Sequence, residues 1–187
     1  MNPRFFLLQI ALLFLSFTLH AQETPPFPPP PEGVSSTAII APTQEPGERL
    51  LIRGTVYHAD GSTPYTNLII YLYQTDSSGV YNHEDRSWRN PKLRGWVKTG
   101  ERGTYEIQTI KPGSYPGSRN PAHIHAIIRL PGREARWIDD FLFYDDPFIA
   151  DEQRRASEEM GKFANIMRLE RSNKGHLLGR RDIKIEE

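Results

Sequence analysis

The chain has 187 residues, enough for one domain with its own core. Its 23 basic and 23 acidic side chains cancel to a formal net charge of zero, which lacks the basic footprint of a nucleic-acid binder. It contains no cysteine, so disulfides, thiolate ligands and a cysteine nucleophile are excluded, and any metal must be held by nitrogen and oxygen donors.

Arg4 precedes an apolar run from Phe5 to Leu19, followed by His20 and Ala21. A basic start, an apolar stretch and a small residue at its end describe a secretory signal peptide over 1–21, with cleavage after Ala21. The alternative is an N-terminal membrane anchor, for which the run is short against the roughly 20 apolar residues a span needs. The expected destination is secreted or periplasmic, with no membrane contact after cleavage. Residues 22–47 read as a proline-rich linker. Pro25 to Pro31, broken by Phe27, favours extended polyproline II, and Val34 to Gln44 is either disordered or packed along a domain edge.

The folded domain is expected over 48–187. Leu50 to Tyr57 and Asn67 to Tyr73 read as strands, separated by turn chemistry at Asp60 and Gly61. Asp76 to Gly79 turns again, and a polar loop runs through Asn90 and Pro91. Trp96 to Thr99, Thr104 to Ile110, His123 to Leu130 and Trp137 to Tyr144 are further strands, with an irregular stretch over Pro112 to Asn120. Short strands at this spacing, broken by Gly, Pro and Asp, predict an antiparallel sandwich or barrel. Asp151 to Met160 has acidic residues in its first turn and predicts a short helix. Ile166 to Leu169 and Arg181 to Ile185 read as closing strands.

One stretch carries the chemistry. His123 and His125 are one residue apart, so on a strand both imidazoles point to the same side. Tyr115 lies eight residues before His123 in a Pro/Gly turn. Imidazole suits Zn, Cu, Fe and Ni. A phenol with an unperturbed pKa of about 10 is deprotonated at neutral pH only by a strongly Lewis-acidic ion, which points to Fe(III). A Zn site more often recruits His with carboxylate or Cys. His58, His83 and His176 read as surface histidines, and Tyr57, Tyr71, Tyr73 and Tyr105 as packing residues in strands. The acidic pairs Asp139–Asp140 and Asp145–Asp146 read as solvated strand ends.

The run Gly103, Tyr105, Ile107 and Thr109 to Pro116, followed by Pro121 to His125, resembles the intradiol ring-cleavage dioxygenases, the protocatechuate 3,4-dioxygenase and catechol 1,2-dioxygenase family. The resemblance extends to Arg53–Val56, Gln74–Tyr81 and Phe141–Phe143, and spans roughly residues 49 to 145. It implies an all-β fold, an antiparallel β-sandwich of immunoglobulin or transthyretin-like form with one short C-terminal helix. It implies four ligands to a non-haem Fe(III): Tyr81, Tyr115, His123 and His125, with Tyr115 and His125 axial. It implies further that an aromatic diol and O2 are the partners, that the diol displaces Tyr115, which takes up a proton, and that a cis,cis-muconate-type diacid results. A homo-oligomer is compatible with this reading.

The family commonly carries an Arg immediately before the Pro-Ala-His-Ile-His run. Here that position is Asn120, preceded by Arg119, and these two join Tyr115 as the expected catalytic residues. Gly117 stands where some members have an aromatic. The iron ligands match while the substrate-reading positions differ. The alternative is a non-catalytic transthyretin-like binding or structural module that retains the metal site.

Overall fold

In a computed structural model, residues 25–186 are described. The signal-peptide reading of residues 1–21 lies outside them. The strands are β1 (Thr37–Ile39), β2 (Arg49–Tyr57), β3 (Ile69–Gln74), β4 (Leu93–Lys98), β5 (Thr104–Ile110), β6 (His123–Arg129) and β7 (Ala135–Phe143). They are followed by α1 (Asp151–Glu159), a 3-10 turn at Gly161–Phe163, and four short strands: β8 (Ile166–Met167), β9 (Glu170–Arg171), β10 (Leu177–Arg180) and β11 (Ile183–Lys184). One sheet has the order β1-β5-β2-β10-β9, with β11 also on β2, and the other has the order β4-β3-β6-β7-β8.

Alternation along the strands explains the layers. Leu50, Ile52 and Val56 of β2 and Tyr105 and Ile107 of β5 face inward from one sheet. Ile70 and Leu72, Ile124, Ala126 and Ile128, and Phe141 and Phe143 face them from the other, forming one dry core. The long central pairings, β2–β5, β3–β4, β3–β6 and β6–β7, are antiparallel, as the strand spacing predicts. The sheets are nevertheless mixed, because β1, β8, β10 and β11 all join in parallel at or near the edges. None of these pieces is joined to its parallel partner by a tight hairpin, so nothing forces the pair to run antiparallel.

The stretch read as a linker is laid on the fold. β1 pairs with β5, and Ala38 and Ile40 enter the core. Phe27 meets Tyr71 edge-on, with the Arg129 guanidinium over its ring, and Trp96 Nε1–H donates to the Pro28 carbonyl. This second apolar cluster, of Tyr71, Tyr73, Tyr81, Ile127, Trp96 and Trp137, covers the outer face of the β3–β6–β7 sheet. His123 and His125 point to that same outer face, because their neighbours Ile124 and Ala126 point inward.

Candidate metal centre

Two turns and one strand build the site. The buried Gln74 side chain ends β3 and spans the two sheets: Thr109 Oγ1–H donates to its Oε1 (2.8 Å), and its Nε2 donates to the Ile110 carbonyl (3.0 Å). The chain leaving β3 and the chain leaving β5 therefore start side by side. Gly113 N–H donates to the Asp76 carbonyl (2.8 Å), and Thr75 Oγ1–H donates to the Gly113 carbonyl (2.8 Å). The turn over 76–79 delivers Tyr81, and the segment over 112–116 delivers Tyr115. Asp76 shapes the first turn from inside, its Oδ1 accepting from the N–H groups of Ser78 and Val80 and from the Ser78 hydroxyl. His83 Nε2 reaches its Oδ2 at 2.8 Å, so this histidine, exposed as expected, also pins the turn. In the second segment Ser118 N–H donates back to the Tyr115 carbonyl across Pro116 and Gly117, and Gly117 has φ +74°. Pro then Gly with a left-handed third position is the order a type II turn demands, which accounts for glycine where an aromatic has no such backbone freedom.

β6 brings the histidines, and Asp146 fixes its entry: the Asp146 carboxylate accepts from Ala122 N–H (2.8 Å). The four side chains converge. Tyr115 Oη lies 2.9 Å from His123 Nε2 and 3.4 Å from His125 Nε2, the two Nε2 atoms are 3.0 Å apart, and His125 Nε2 is 2.9 Å from Tyr81 Oη. The two hydroxyls are themselves hydrogen-bonded. Ligands bonded at about 2.0–2.1 Å to one cation stand about 2.9 Å apart at right angles and about 3.4 Å apart in a tetrahedron. The donor set therefore has the edges of a coordination shell.

Both imidazoles are oriented from behind. His123 Nδ1–H donates to the Pro121 carbonyl (2.6 Å), and His125 Nδ1–H donates to Asp140 Oδ1 (2.9 Å). This leaves each Nε2 lone pair facing the cluster, the arrangement metal-binding histidines use. Burial, reinforced by the neighbouring His125, pushes the His123 pKa down and keeps the ring neutral. Burial is also the first cause pushing both phenols up: for Tyr81 the hydrogen bond from Tyr115 adds to it, and for Tyr115 the same bond opposes it. Without a cation both remain protonated, so a cation held by their phenolates must supply enough Lewis acidity to release two protons.

Among the described residues the His, Asp and Glu side chains at metal-ligand spacing are His123, His125 and Asp140. Asp140 is not a third ligand beside the histidines, because it binds Nδ1 of His125, and one imidazole does not turn both nitrogens to one ion. Its position comes from a β-bulge. His123 pairs Leu142, Ile124 pairs Phe141 and Ala126 pairs Ile138, so Asp139 and Asp140 together oppose His125. Sequence reasoning missed this. The available signal was Ile138 and Phe141, both core-facing and three apart, a spacing a regular strand does not allow.

A cleft of about 390 Å³ opens beside the donors, walled in part by Tyr73, Tyr81, Tyr115, His125, Arg86 and Trp88. Tyr73 packs as expected, and it packs against the donors: its ring lies 4.6 Å from that of His125 and 5.8 Å from that of Tyr81. The structure brings together Tyr81, Tyr115, His123 and His125, but not Arg119 or Asn120. Arg119 lies over the Phe148 ring at 5.6 Å, and Asn120 is exposed with its N–H on Ser118 Oγ. Neither lines the cleft.

The sequence profile of the Dioxygenase family matches residues 23–175. The protocatechuate 3,4-dioxygenase beta chain of Burkholderia cepacia is 28% identical over 146 residues, covering 71% of this chain and 62% of that protein. Catechol 1,2-dioxygenase 1 of Acinetobacter lwoffii is 31% identical over 147 residues, covering 68% of this chain and 46% of that protein. The chain thus spans about half the length of the curated relatives it matches. In fold it is similar to the dioxygenase domain of a dioxygenase and carbohydrate-binding fusion protein from Streptomyces sp. SirexAA-E, with a TM-score of 0.62 and 24% identity over 88% of this chain and 94% of that one.

Proposed function

We propose that this chain, which belongs to the intradiol ring-cleavage dioxygenase family, is an Fe(III) enzyme that opens an aromatic diol between its two hydroxylated carbons. That carbon–carbon bond breaks, both atoms of O2 enter the product, and a cis,cis-muconate-type diacid leaves. The observation that carries the reading is the convergence of two phenols and two imidazole Nε2 atoms at ligand spacing beside an open cleft. Two phenolates suit a trivalent, strongly Lewis-acidic ion better than Zn.

Tyr81, Tyr115, His123 and His125 would hold the ion. When bound, iron supplies Lewis acidity that favours phenolate and catecholate over their protonated forms, and a path for electrons from the diol to O2. The chain's own residues do the rest. Asp140 and the Pro121 carbonyl accept from Nδ1–H of His125 and His123 and so turn each Nε2 toward the ion's place. Tyr115 Oη is the proton acceptor for the incoming diol. It faces the cleft, and the burial that raises its pKa favours the protonated phenol. Tyr73 and Trp88 wall the cleft with apolar surface and restrict water beside the reacting ring. Arg119 supports no charge on the ring from where it stands. That position is the observation in favour of the alternative, a β-sandwich binding module that keeps the metal site without turnover.

Oxygen uptake by iron-loaded protein with a panel of catechols, with product followed by its ultraviolet absorbance, separates the two. The enzyme reading expects one O2 consumed per diacid formed, and an iron-loaded protein that binds catechols without consuming O2 overturns it. Export is proposed from the run Phe5 to Leu19 alone. A secreted protein that begins at Gln22 bears it out, and retention of Met1 in the mature protein contradicts it.

A further inference from the structure

The cleft beside the donors carries one fixed charge. Of the residues lining it, Arg86 alone is a strong cation, and none is an acid. Arg86 sits on the loop between β3 and β4, which is internally built. Lys92 N–H donates to the Tyr81 carbonyl (2.8 Å), Asn82 Nδ2 donates to the Asn90 carbonyl (3.1 Å), and the Asp85 carboxylate takes Ser87 N–H (2.9 Å). Arg86 closes the first turn of this loop, its N–H donating to the Asn82 carbonyl (2.9 Å), and it does so with φ +52°. Glycine is the low-cost residue at such a backbone position. A long cationic side chain held there points to a role for the side chain itself. Its neighbours Glu84 and Asp85 do not line the cleft, and among the described residues no carboxylate engages the Arg86 guanidinium. The other acid near the centre, Asp140, is taken by His125, and Arg119 lies over Phe148.

We propose that Arg86 selects the substrate: its guanidinium, at the wall of the cleft, pairs with a carboxylate carried on the aromatic ring, while the two hydroxyls of the same ring face Tyr81 and Tyr115. This deepens the diol-cleaving reading and rests on it. A planar guanidinium matches a carboxylate through two parallel hydrogen bonds. A single guanidinium without a second cation suits a monoanion better than a phosphate dianion. The cation that the sequence motif leads one to seek at 119 or 120 is supplied here from a different loop, and it stands at the cleft wall to read substrate charge.

The test is a matched titration of the iron-loaded protein with 3,4-dihydroxybenzoate and its neutral analogue 4-methylcatechol. Binding is read from quenching of tryptophan fluorescence, since Trp88 lies in the cleft, and needs no turnover. Wild type is expected to bind the anion about tenfold more tightly than the neutral probe at low salt, with the preference shrinking as salt rises. Arg86→Gln brings the ratio of the two dissociation constants to about one, Arg86→Lys keeps part of it, and Arg119→Gln leaves it at the wild-type value. An Arg86→Gln protein that keeps the wild-type ratio, a wild-type ratio near one, or no binding of either probe overturns the proposal. Failure of the dioxygenase reading shows separately, as binding with the expected ratio but without O2 consumption from either probe.

Discussion

A methyl group added at Gly79 would overlap the carbonyl oxygen of Ser114. The turn that carries Tyr81 and the segment that carries Tyr115 are thus in backbone contact at a point where no side chain fits. Gly79 also has φ +83°, so two independent costs meet at one residue. Gly117 shares the left-handed backbone, at φ +74°, but has nothing within 4 Å of its Cβ position. Gly117→Ala is expected to cost about 1 kcal/mol, the left-handed penalty alone. Gly79→Ala is expected to cost more than about 2 kcal/mol and to separate the two tyrosines, weakening iron uptake as well. Urea midpoints and iron content of the two variants check this, and equal losses would show that the contact between the turns contributes nothing.

Asp140 is expected to matter for iron binding. It orients His125 through Nδ1 from the bulge in β7. Partners of this kind typically contribute 10–100-fold in metal affinity. Asp140→Ala is expected to lower iron affinity by about that factor, read by competition with a chelator, while thermal stability of the iron-free protein stays near wild type. Asp140→Asn, which still accepts from Nδ1–H, is expected to recover part of the loss. An Asp140→Ala protein with wild-type iron affinity removes this residue from the site.

Acid should loosen the Tyr81 turn through Asp76. Burial pushes the Asp76 pKa up, but hydrogen bonds from Ser78, Val80 and His83 outweigh it and hold the carboxyl below its ordinary value. A carboxylate whose folded-state pKa is depressed stabilises the fold above its unfolded pKa of about 3.9, and this contribution is lost as pH falls through the folded value. Asp76→Asn is therefore expected to be less stable than wild type by on the order of 2 kcal/mol at pH 7. The gap should close below about pH 4. Melting curves of both proteins from neutral to acid pH test the sign, and a gap that persists unchanged into acid shows that the charge of Asp76 is not what matters.

Much of the sandwich is legible in the sequence because its six longest strands alternate or sit between Gly, Pro and Asp turns. The parallel pairings are not. β8 and β11 lie within stretches that read as closing strands, but two residues each are too few to show their direction, and β1, β9 and β10 do not stand out as strands in the sequence. His123, His125 and Tyr115 are legible from spacing, whereas Tyr81 comes from a separate turn and is legible only through the family's motif. Asp140 and Arg86 are the converse case. Each is placed by a local irregularity, a bulge in one and a left-handed residue in the other, which the sequence pattern does not reveal. Phe27 belongs to the same class, since a proline-rich stretch carries no sign that Tyr71, Trp96 and Arg129 will hold it down.

The visible absorption spectrum of the ferric-loaded protein reports directly on whether two tyrosinates hold the iron. Two phenolates on Fe(III) are expected to colour the protein, each of Tyr81→Phe and Tyr115→Phe to alter the band, the double variant to abolish it, and a catechol to shift it in wild type. A colourless ferric-loaded protein, or a band left unchanged in both tyrosine variants, would show that Tyr81 and Tyr115 are not iron ligands.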